Sequence, residues 1–243
     1  MNPISINSDV FRFKQFSVSH NRSTMKVGTD AVFLGAWTPV KKDCNRILEI
    51  GCGCGVISLM LAQRSNATII AIDIDKSSVE EATQNADNSP WKERISFQHI
   101  SAQTFCISQN KQKFDLIVSN PPFFEDLLKS PSEKRNLSRH TDTLSFEDLV
   151  FSADYCLSEK GCFALIFPAE NAERIIGFCK KHNLLCINKL QIRPSLPHPA
   201  NRVILLFSHQ KQKIKTENLA IRDLEGIYSE EYKQLTKDFY LIF

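Results

Sequence analysis

The feature that most constrains this chain is the run Gly51-Cys52-Gly53-Cys54-Gly55, set between the apolar pentapeptide Arg46-Ile47-Leu48-Glu49-Ile50 and the apolar stretch Val56 to Ala62. A short apolar run closed by glycine reads as a buried strand, and the apolar spacing that follows reads as a helix. Glycines at alternate positions give the backbone conformations closed to other residues and let a ligand come close. The first turn of the following helix offers N–H groups with no partner inside the helix. Strand, glycine loop and helix in that order predict an open α/β sheet with a nucleotide-type site at its carboxyl edge. A dinucleotide fingerprint would carry its third glycine at position 56; Val56 stands there, which disfavours hydride transfer.

Two further strand ends extend the pattern. Thr68-Ile69-Ile70-Ala71-Ile72 ends in Asp73, about 20 positions past the loop, where an acid accepts the hydroxyls of a ribose. Asp75 reads better as the N-cap of a helix beginning near Lys76. The run Phe114 to Ser119 is followed by Asn120-Pro121-Pro122-Phe123, an amide, two rigid rings and an aromatic. Such a group suits a flat amino-bearing target. An exocyclic amino nitrogen is a poor nucleophile because its lone pair is delocalised into the ring. Accepting both its N–H hydrogens on fixed oxygens, here the Asn120 side chain and the Pro121 carbonyl, favours the pyramidal form and aims the lone pair at an electrophile. The two prolines fix φ and bias the preceding residues toward extended geometry. Phe123 offers a stacking face worth about 1–3 kcal/mol to a base. Taken alone, the tetrapeptide reads better as a strand-ending turn with a core Phe; its place behind the glycine loop and Asp73 is what makes it informative.

The remaining patterns predict strands at Ile95–Ile100, Cys162–Phe167, Leu184–Ile192 and Val203–Ser208, and helices at Lys76–Asn88, Ser145–Leu157, Asn171–His182 and Ser229–Asp238. Pro194, Pro197 and Pro199 between the last two strands suit an antiparallel pair joined by a stiff loop. The expected fold is therefore α/β, a seven-stranded and mostly parallel sheet with an antiparallel last strand and helices on both faces. Residues 1–243 are expected to form one domain, with 1–44 as an amino-terminal cap and substrate-binding extension. A polar stretch between Phe124 and Leu144 is long enough to be a functional loop beside the Asn-Pro-Pro-Phe motif.

Composition excludes several classes. The start, Met1-Asn2-Pro3-Ile4-Ser5, has neither the basic nor the apolar segment of an export signal, and no apolar run reaches membrane-spanning length, so a cytoplasmic location is expected. Eight cysteines include no C-x-x-C pair. Cys52 and Cys54 fit as small residues among the glycines, and Cys44, Cys106, Cys156, Cys162, Cys179 and Cys186 read as free buried thiols, so no metal is expected. The net charge of +3 is too small to diagnose nucleic acid. Locally, however, Arg12, Lys14, Arg22 and Lys26 interleave with Phe11, Phe13 and Phe16 against Asp9 alone. That pattern suits either a strand with one phosphate-facing side or an ordinary solvated face.

The segment Glu49 to Gly55, Asp73 and Asn120 to Phe123 together resemble the S-adenosylmethionine-binding and catalytic motifs of class I methyltransferases acting on exocyclic amino groups. More selective is Phe11-Arg12-Phe13-Lys14-Gln15-Phe16, with Met25-Lys26-Val27-Gly28-Thr29-Asp30 and Leu34-Gly35-Ala36-Trp37. This stretch resembles the bacterial tRNA1(Val) adenine-N6-methyltransferases, which modify the adenine beside the anticodon. The likeness continues through Ser138-Arg139-His140, Pro194 to Phe207 and Phe239-Tyr240-Leu241.

The resemblance implies a Rossmann-like class I methyltransferase fold, S-adenosyl-L-methionine as cofactor and tRNA as partner; no membrane association and a monomer are expected besides. It assigns the cofactor to Lys26, Thr29, Asp30, Glu49, Gly51, Gly53, Gly55, Asp73, Ser101, Ala102 and Asn120. Catalysis falls to Asn120, Pro121, Pro122 and Phe123, and substrate binding to Arg12, Lys14, Arg139 and His140. Ser101 departs from the acid usual at its position, and Thr29 or Asp30 also fits the N-cap of a helix. Three alternatives stay open. A glutamine-amide methyltransferase typically has Tyr where Phe123 stands, a guanine-N2 rRNA methyltransferase would carry an added domain, and a non-catalytic RNA-binding module would not need the intact glycine loop, Asp73 and Asn120.

Overall fold

A computed structural model describes residues 9–108, 113–121 and 144–243. At the amino end, β1 (Val10–Arg12) and β2 (Ser17–Ser19) form an antiparallel hairpin. Helix α1 (Thr29–Trp37) follows, then β3 (Arg46–Ile50), α2 (Val56–Arg64), β4 (Thr68–Asp73), α3 (Lys76–Asp87), β5 (Ile95–His99), α4 (Ala102–Ser108) and β6 (Phe114–Ser119). From residue 144 onward come α5 (Phe146–Cys156), β7 (Leu157–Pro168), α6 (Ala172–Lys181), β8 (Leu185–Ser195), β9 (Arg202–Ser208), β10 (Lys215–Arg222) and α7 (Glu230–Thr236).

The main sheet runs β10-β8-β9-β7-β6-β3-β4-β5. Only β9 is antiparallel to its neighbours β7 and β8; the other described pairings in this sheet are parallel. Strands β3 and β6 are almost wholly buried, which explains why they read as continuous apolar runs rather than alternating ones. One face packs against α1, α2 and α7 through Phe33, Leu59, Met60 and Tyr232; the other packs against α4, α5 and α6 through Phe105, Leu149 and Ile175. Burying both faces at once is what fixes a parallel sheet in place.

Four local outcomes refine the sequence reading. The sheet has eight strands rather than seven, because β10 adds to the edge alongside β8 from Lys215 opposite Asn188 to Arg222 opposite Ser195. Of its eight residues only Leu219 is buried, so it left no apolar signature. Helix α4 was also not foreseen; it is started by Ser101, whose hydroxyl accepts the Thr104 N–H at 3.2 Å. The N-cap of α1 is Gly28, not Thr29 or Asp30, which fall in the first turn. The caps expected at Asp75 and Ser145 are present: Asp75 accepts from the Ser77 and Ser78 amides, and Ser145 forms a reciprocal capping box with Asp148.

Candidate active site

The glycine loop adopts the backbone its sequence requires. Gly51, Gly53 and Gly55 have φ of +77°, +50° and +80°, a region L side chains rarely enter. The amides of Gly51 and Cys52 donate to the Ile72 carbonyl at 2.8 and 3.1 Å, pinning the loop to the end of β4. A Cβ on Gly51 or Gly53 would meet nothing within 4 Å, so these residues border open space. A Cβ on Gly55 would lie 2.8 Å from the Phe97 ring and 3.0 Å from the Ala82 methyl, so Gly55 is needed for packing as well. The intervening Cys52 and Cys54 turn inward and are buried. Burial raises both thiols, Cys54 to about 12, which keeps them protonated and poorly reactive.

Two carboxylates flank the loop. Asp73 accepts the Gly53 amide on Oδ2 and the Asp75 amide on Oδ1, each at 2.9 Å, so it is fixed in orientation with lone pairs to spare. Glu49 is fully buried; the Ser58 hydroxyl donates to its Oε2, and its Oε1 has no partner among the described residues. Burial pushes the Glu49 pKa from 4.5 up to about 8, against the opposing effect of the Ser58 hydrogen bonds.

Asn120 and Pro121 follow β6, the first half-buried and the second buried. Strand β6 runs parallel to β3 in the register Ile47–Leu116, Leu48–Ile117, Glu49–Val118, and Gly51 and Asn120 each stand two residues past the last of these pairs. The Ser119 hydroxyl donates to the Ile50 carbonyl at 2.7 Å and ties the two strand ends together. Ser101 and Ala102 leave the end of β5, one strand beyond Asp73. Ile74 was not singled out from the sequence, yet it stands 46 % exposed next to Asp73. A branched apolar residue past the acid with no core to join was the available signal. Pro122, Phe123, Arg139 and His140 lie outside the described residues.

The amino-terminal arm is held by α3. The two oxygens of Glu81 accept the amides of Asn21 (3.0 Å), Arg22 (3.1 Å) and Ser23 (2.8 Å) as well as the Ser23 hydroxyl. Burial works to raise the Glu81 pKa, but these bonds outweigh it and leave the carboxyl below its ordinary value. Asn85 accepts the Ser19 amide on Oδ1 at 2.9 Å, and its Nδ2 donates to the carbonyls of Ser19 (2.8 Å) and Cys54 (2.9 Å). This anchoring sets the course of the chain into exposed Lys26 and Thr29 and half-buried Asp30. Asp30 pairs with Arg202, Nε to Oδ2 at 2.8 Å, joining the first turn of α1 to the start of β9. In the hairpin, Phe13 and Phe16 are buried and stacked at 4.5 Å, while Arg12 and Lys14 are exposed. The Lys14 ammonium donates to the main-chain oxygens of Lys237 and Phe243 at 2.6 and 2.5 Å, so its first role is to fasten the hairpin to the carboxyl-terminal segment. Among the described residues no group of three His, Cys, Asp or Glu side chains is placed to hold a metal ion, and no described helix is long and apolar enough to cross a membrane.

Comparison with known proteins places this geometry. The family model of the methyltransferase small domain matches residues 29–169. The tRNA1(Val) (adenine(37)-N6)-methyltransferase of Phocaeicola vulgatus is 45 % identical over 231 residues, covering 95 % of this chain and 97 % of that protein. Its namesake from Flavobacterium psychrophilum is 41 % identical over 96 % of this chain and 99 % of its own length, and that from Pectobacterium carotovorum 39 % identical over 99 % and 97 %. Among solved structures, a predicted O-methyltransferase from Agrobacterium tumefaciens superposes with a TM-score of 0.69 at 17 % identity, covering 86 % of this chain and 96 % of that one, a likeness of fold. The glycine loop, the acid of β4 and the Asn-Pro end of β6 therefore sit in a class I methyltransferase fold, and the chain belongs to the tRNA1(Val) (adenine(37)-N6)-methyltransferase family.

Proposed function

We propose that this chain transfers the methyl group of S-adenosylmethionine to the exocyclic N6 of an adenine in tRNA, the adenine beside the anticodon of tRNA1(Val). The observation that supports the reading is the junction of β3 and β6, where the Ser119 hydroxyl bonds the Ile50 carbonyl and the next residues of the two strands are Asn120 and Gly51, the first glycine of the loop.

The residues fit the cofactor. The partnerless Oε1 of Glu49 is a buried acceptor for an ammonium group, the Cβ-free faces of Gly51 and Gly53 leave room for the methionine chain, and Asp73 has lone pairs for two ribose hydroxyls. Ile74, with Ser101 and Ala102 on the neighbouring strand exit, offers an apolar rest for a base. Lys26, Thr29 and Asp30 close the site from the arm. Bound there, S-adenosylmethionine supplies a methyl already made electrophilic by its positive sulfonium. Asn120 Oδ1 and the Pro121 carbonyl accept the two N–H hydrogens of the adenine amino group, hold it pyramidal and direct its lone pair. Pro121 is buried and rigid, so these acceptors are set before the substrate arrives. Pro122 would keep the following backbone stiff, and Phe123 would stack on the base. An unpaired loop adenine leaves its stack at a cost of a few kcal/mol, less than a paired one would. Arg12, Arg139 and His140 would meet the RNA, and Lys14 would do so by giving up its contacts with Lys237 and Phe243. We place the enzyme in the cytoplasm, acting as a monomer.

The test is incubation with labelled cofactor and, separately, total bacterial tRNA, rRNA and protein, followed by nucleoside and amino-acid analysis. Label in N6-methyladenosine of tRNA is expected. Label in methylglutamine or N2-methylguanosine would refute the adenine assignment. Asn120→Ala should lower kcat by a hundredfold or more, about 3 kcal/mol of transition-state stabilisation, with a much smaller change in cofactor affinity.

A further inference from the structure

Of the eight thiols, two are in contact. Cys106 Sγ in α4 lies 3.1 Å from Cys156 Sγ at the last residue of α5, and neither has a part in methyl transfer. A formed disulfide measures about 2.05 Å, so the sulfurs need approach by only roughly 1 Å. The same Cys106 Sγ is 3.6 Å from the Ser152 carbonyl, so its position is set by the two facing helices rather than by chance rotation.

The surroundings suit chemistry. Both thiols are buried, but each adjoins a surface residue: Ile107 is 81 % exposed and Tyr155 40 %. Helix α4 has only seven residues, so a local opening of two turns uncovers the pair. Lys113 lies over the Tyr155 ring at 5.3 Å and also donates to the Tyr155 carbonyl, which brings a positive charge to this corner. Either thiol can donate in this contact; with Cys156 as the donor the bond favours the Cys106 thiolate, helped by Lys113 and opposed by burial. The remaining buried thiols with a resolved shift, Cys44, Cys52, Cys54, Cys162, Cys179 and Cys186, are all raised by burial.

We propose that Cys106 and Cys156 form a reversible disulfide that ties α4 to α5 when the protein meets a peroxide. The Cys106 thiolate attacks one peroxide oxygen and breaks the O–O bond, giving a sulfenic acid, while the departing hydroxide takes up a proton as water. Cys156 sulfur then attacks the Cys106 sulfur; the S–O bond breaks, and the hydroxide leaves as a second water with the Cys156 proton. Two thiols thus lose two electrons, and one hydrogen peroxide becomes two waters. A dithiol reverses the bond by exchange. Helix α4 begins beside Ser101 and Ala102, and α5 begins at the end of the polar segment that follows Asn-Pro-Pro-Phe.

Reduced full-length protein is treated with hydrogen peroxide, quenched, denatured and labelled with a maleimide. The eight thiols should fall by the two bridged, to six, within a chain of unchanged monomer mass. Peptide mapping should join the Cys106 and Cys156 peptides, and dithiothreitol should restore the full count. In Cys156→Ser the bridge should be absent and Cys106 should be captured as sulfenic acid by a 1,3-diketone. Eight labelled thiols after oxidation, a bridge to any other cysteine, or a bridge between two chains would overturn the proposal, and the wild-type measurement alone decides it.

Discussion

Replacing Glu49 with glutamine asks whether a proton or a charge sits at the end of β3. Burial pushes this carboxyl from 4.5 to about 8, with the Ser58 hydrogen bonds acting the other way. In the unfolded chain the group loses its proton near its ordinary value; in the folded chain it keeps the proton until about pH 8. Between those two values the folded state binds more protons, so stability falls as pH rises and levels off above the folded pKa. A shift of 8 − 4.5, or 3.5 units, at about 1.36 kcal/mol per unit corresponds to about 5 kcal/mol in full, of which a scan from pH 5 to pH 9 samples about 4 kcal/mol. Glutamine keeps the shape and a bond to Ser58 and has no proton to lose. Urea unfolding followed by circular dichroism across that range should show the two proteins drawing apart as pH rises, with the variant gaining about 4 kcal/mol on the wild type by pH 9. Groups elsewhere titrate alike in both and cancel in the difference. A difference that stays constant from pH 5 to pH 9 would refute the claim that Glu49 is protonated in the free protein.

Other perturbations follow from single contacts. Gly55→Ala forces a side chain into a positive φ and against the Phe97 ring, and should cost about 2–4 kcal/mol in thermal or urea unfolding. Gly53→Ala meets only open space and should cost about 1–2 kcal/mol of stability, while titration calorimetry should show cofactor binding weakened far more than stability. Glu81→Ala leaves three arm amides without their acceptor, so amide hydrogen exchange at residues 21–23 should accelerate while the sheet stays protected. Because the Glu81 pKa is lowered by folding, its contribution is present above the ordinary carboxyl range and is lost as pH falls through the folded value. The arm should therefore loosen in acid before the sheet does.

The parts of the fold legible in sequence are those whose pattern is local. Glycines 51, 53 and 55 announced their own backbone, the β3 and β6 runs announced burial on two faces, and Asp75 and Ser145 announced helix starts. Strand β10 was hidden because one buried leucine in eight residues makes no period. Helix α4 was hidden because seven residues are too short a stretch to establish a helical period. The arm's anchors were hidden for a different reason. Glu81 and Asn85 meet partners 58 to 66 positions away, and the Asp30–Arg202 pair spans 172. Polar partners so far apart leave no periodic trace in a single sequence. The interleaved arginines, lysines and phenylalanines were legible as a two-faced strand, but not as a hairpin whose Lys14 reaches the far end of the chain.

Asn85 spends one side-chain amide on two carbonyls, Ser19 in the arm and Cys54 in the glycine loop. Two segments that share a donor cannot adjust independently, because a shift in one changes the bond available to the other. Any ligand that orders the arm then reduces the freedom left in the loop, and the effect is reciprocal: RNA would tighten the cofactor by the same factor as the cofactor tightens RNA. Asn85→Asp, which keeps the acceptor for Ser19 but turns an oxygen instead of a donor toward both carbonyls, should let go of arm and loop together, and titration calorimetry should find less coupling between RNA and cofactor.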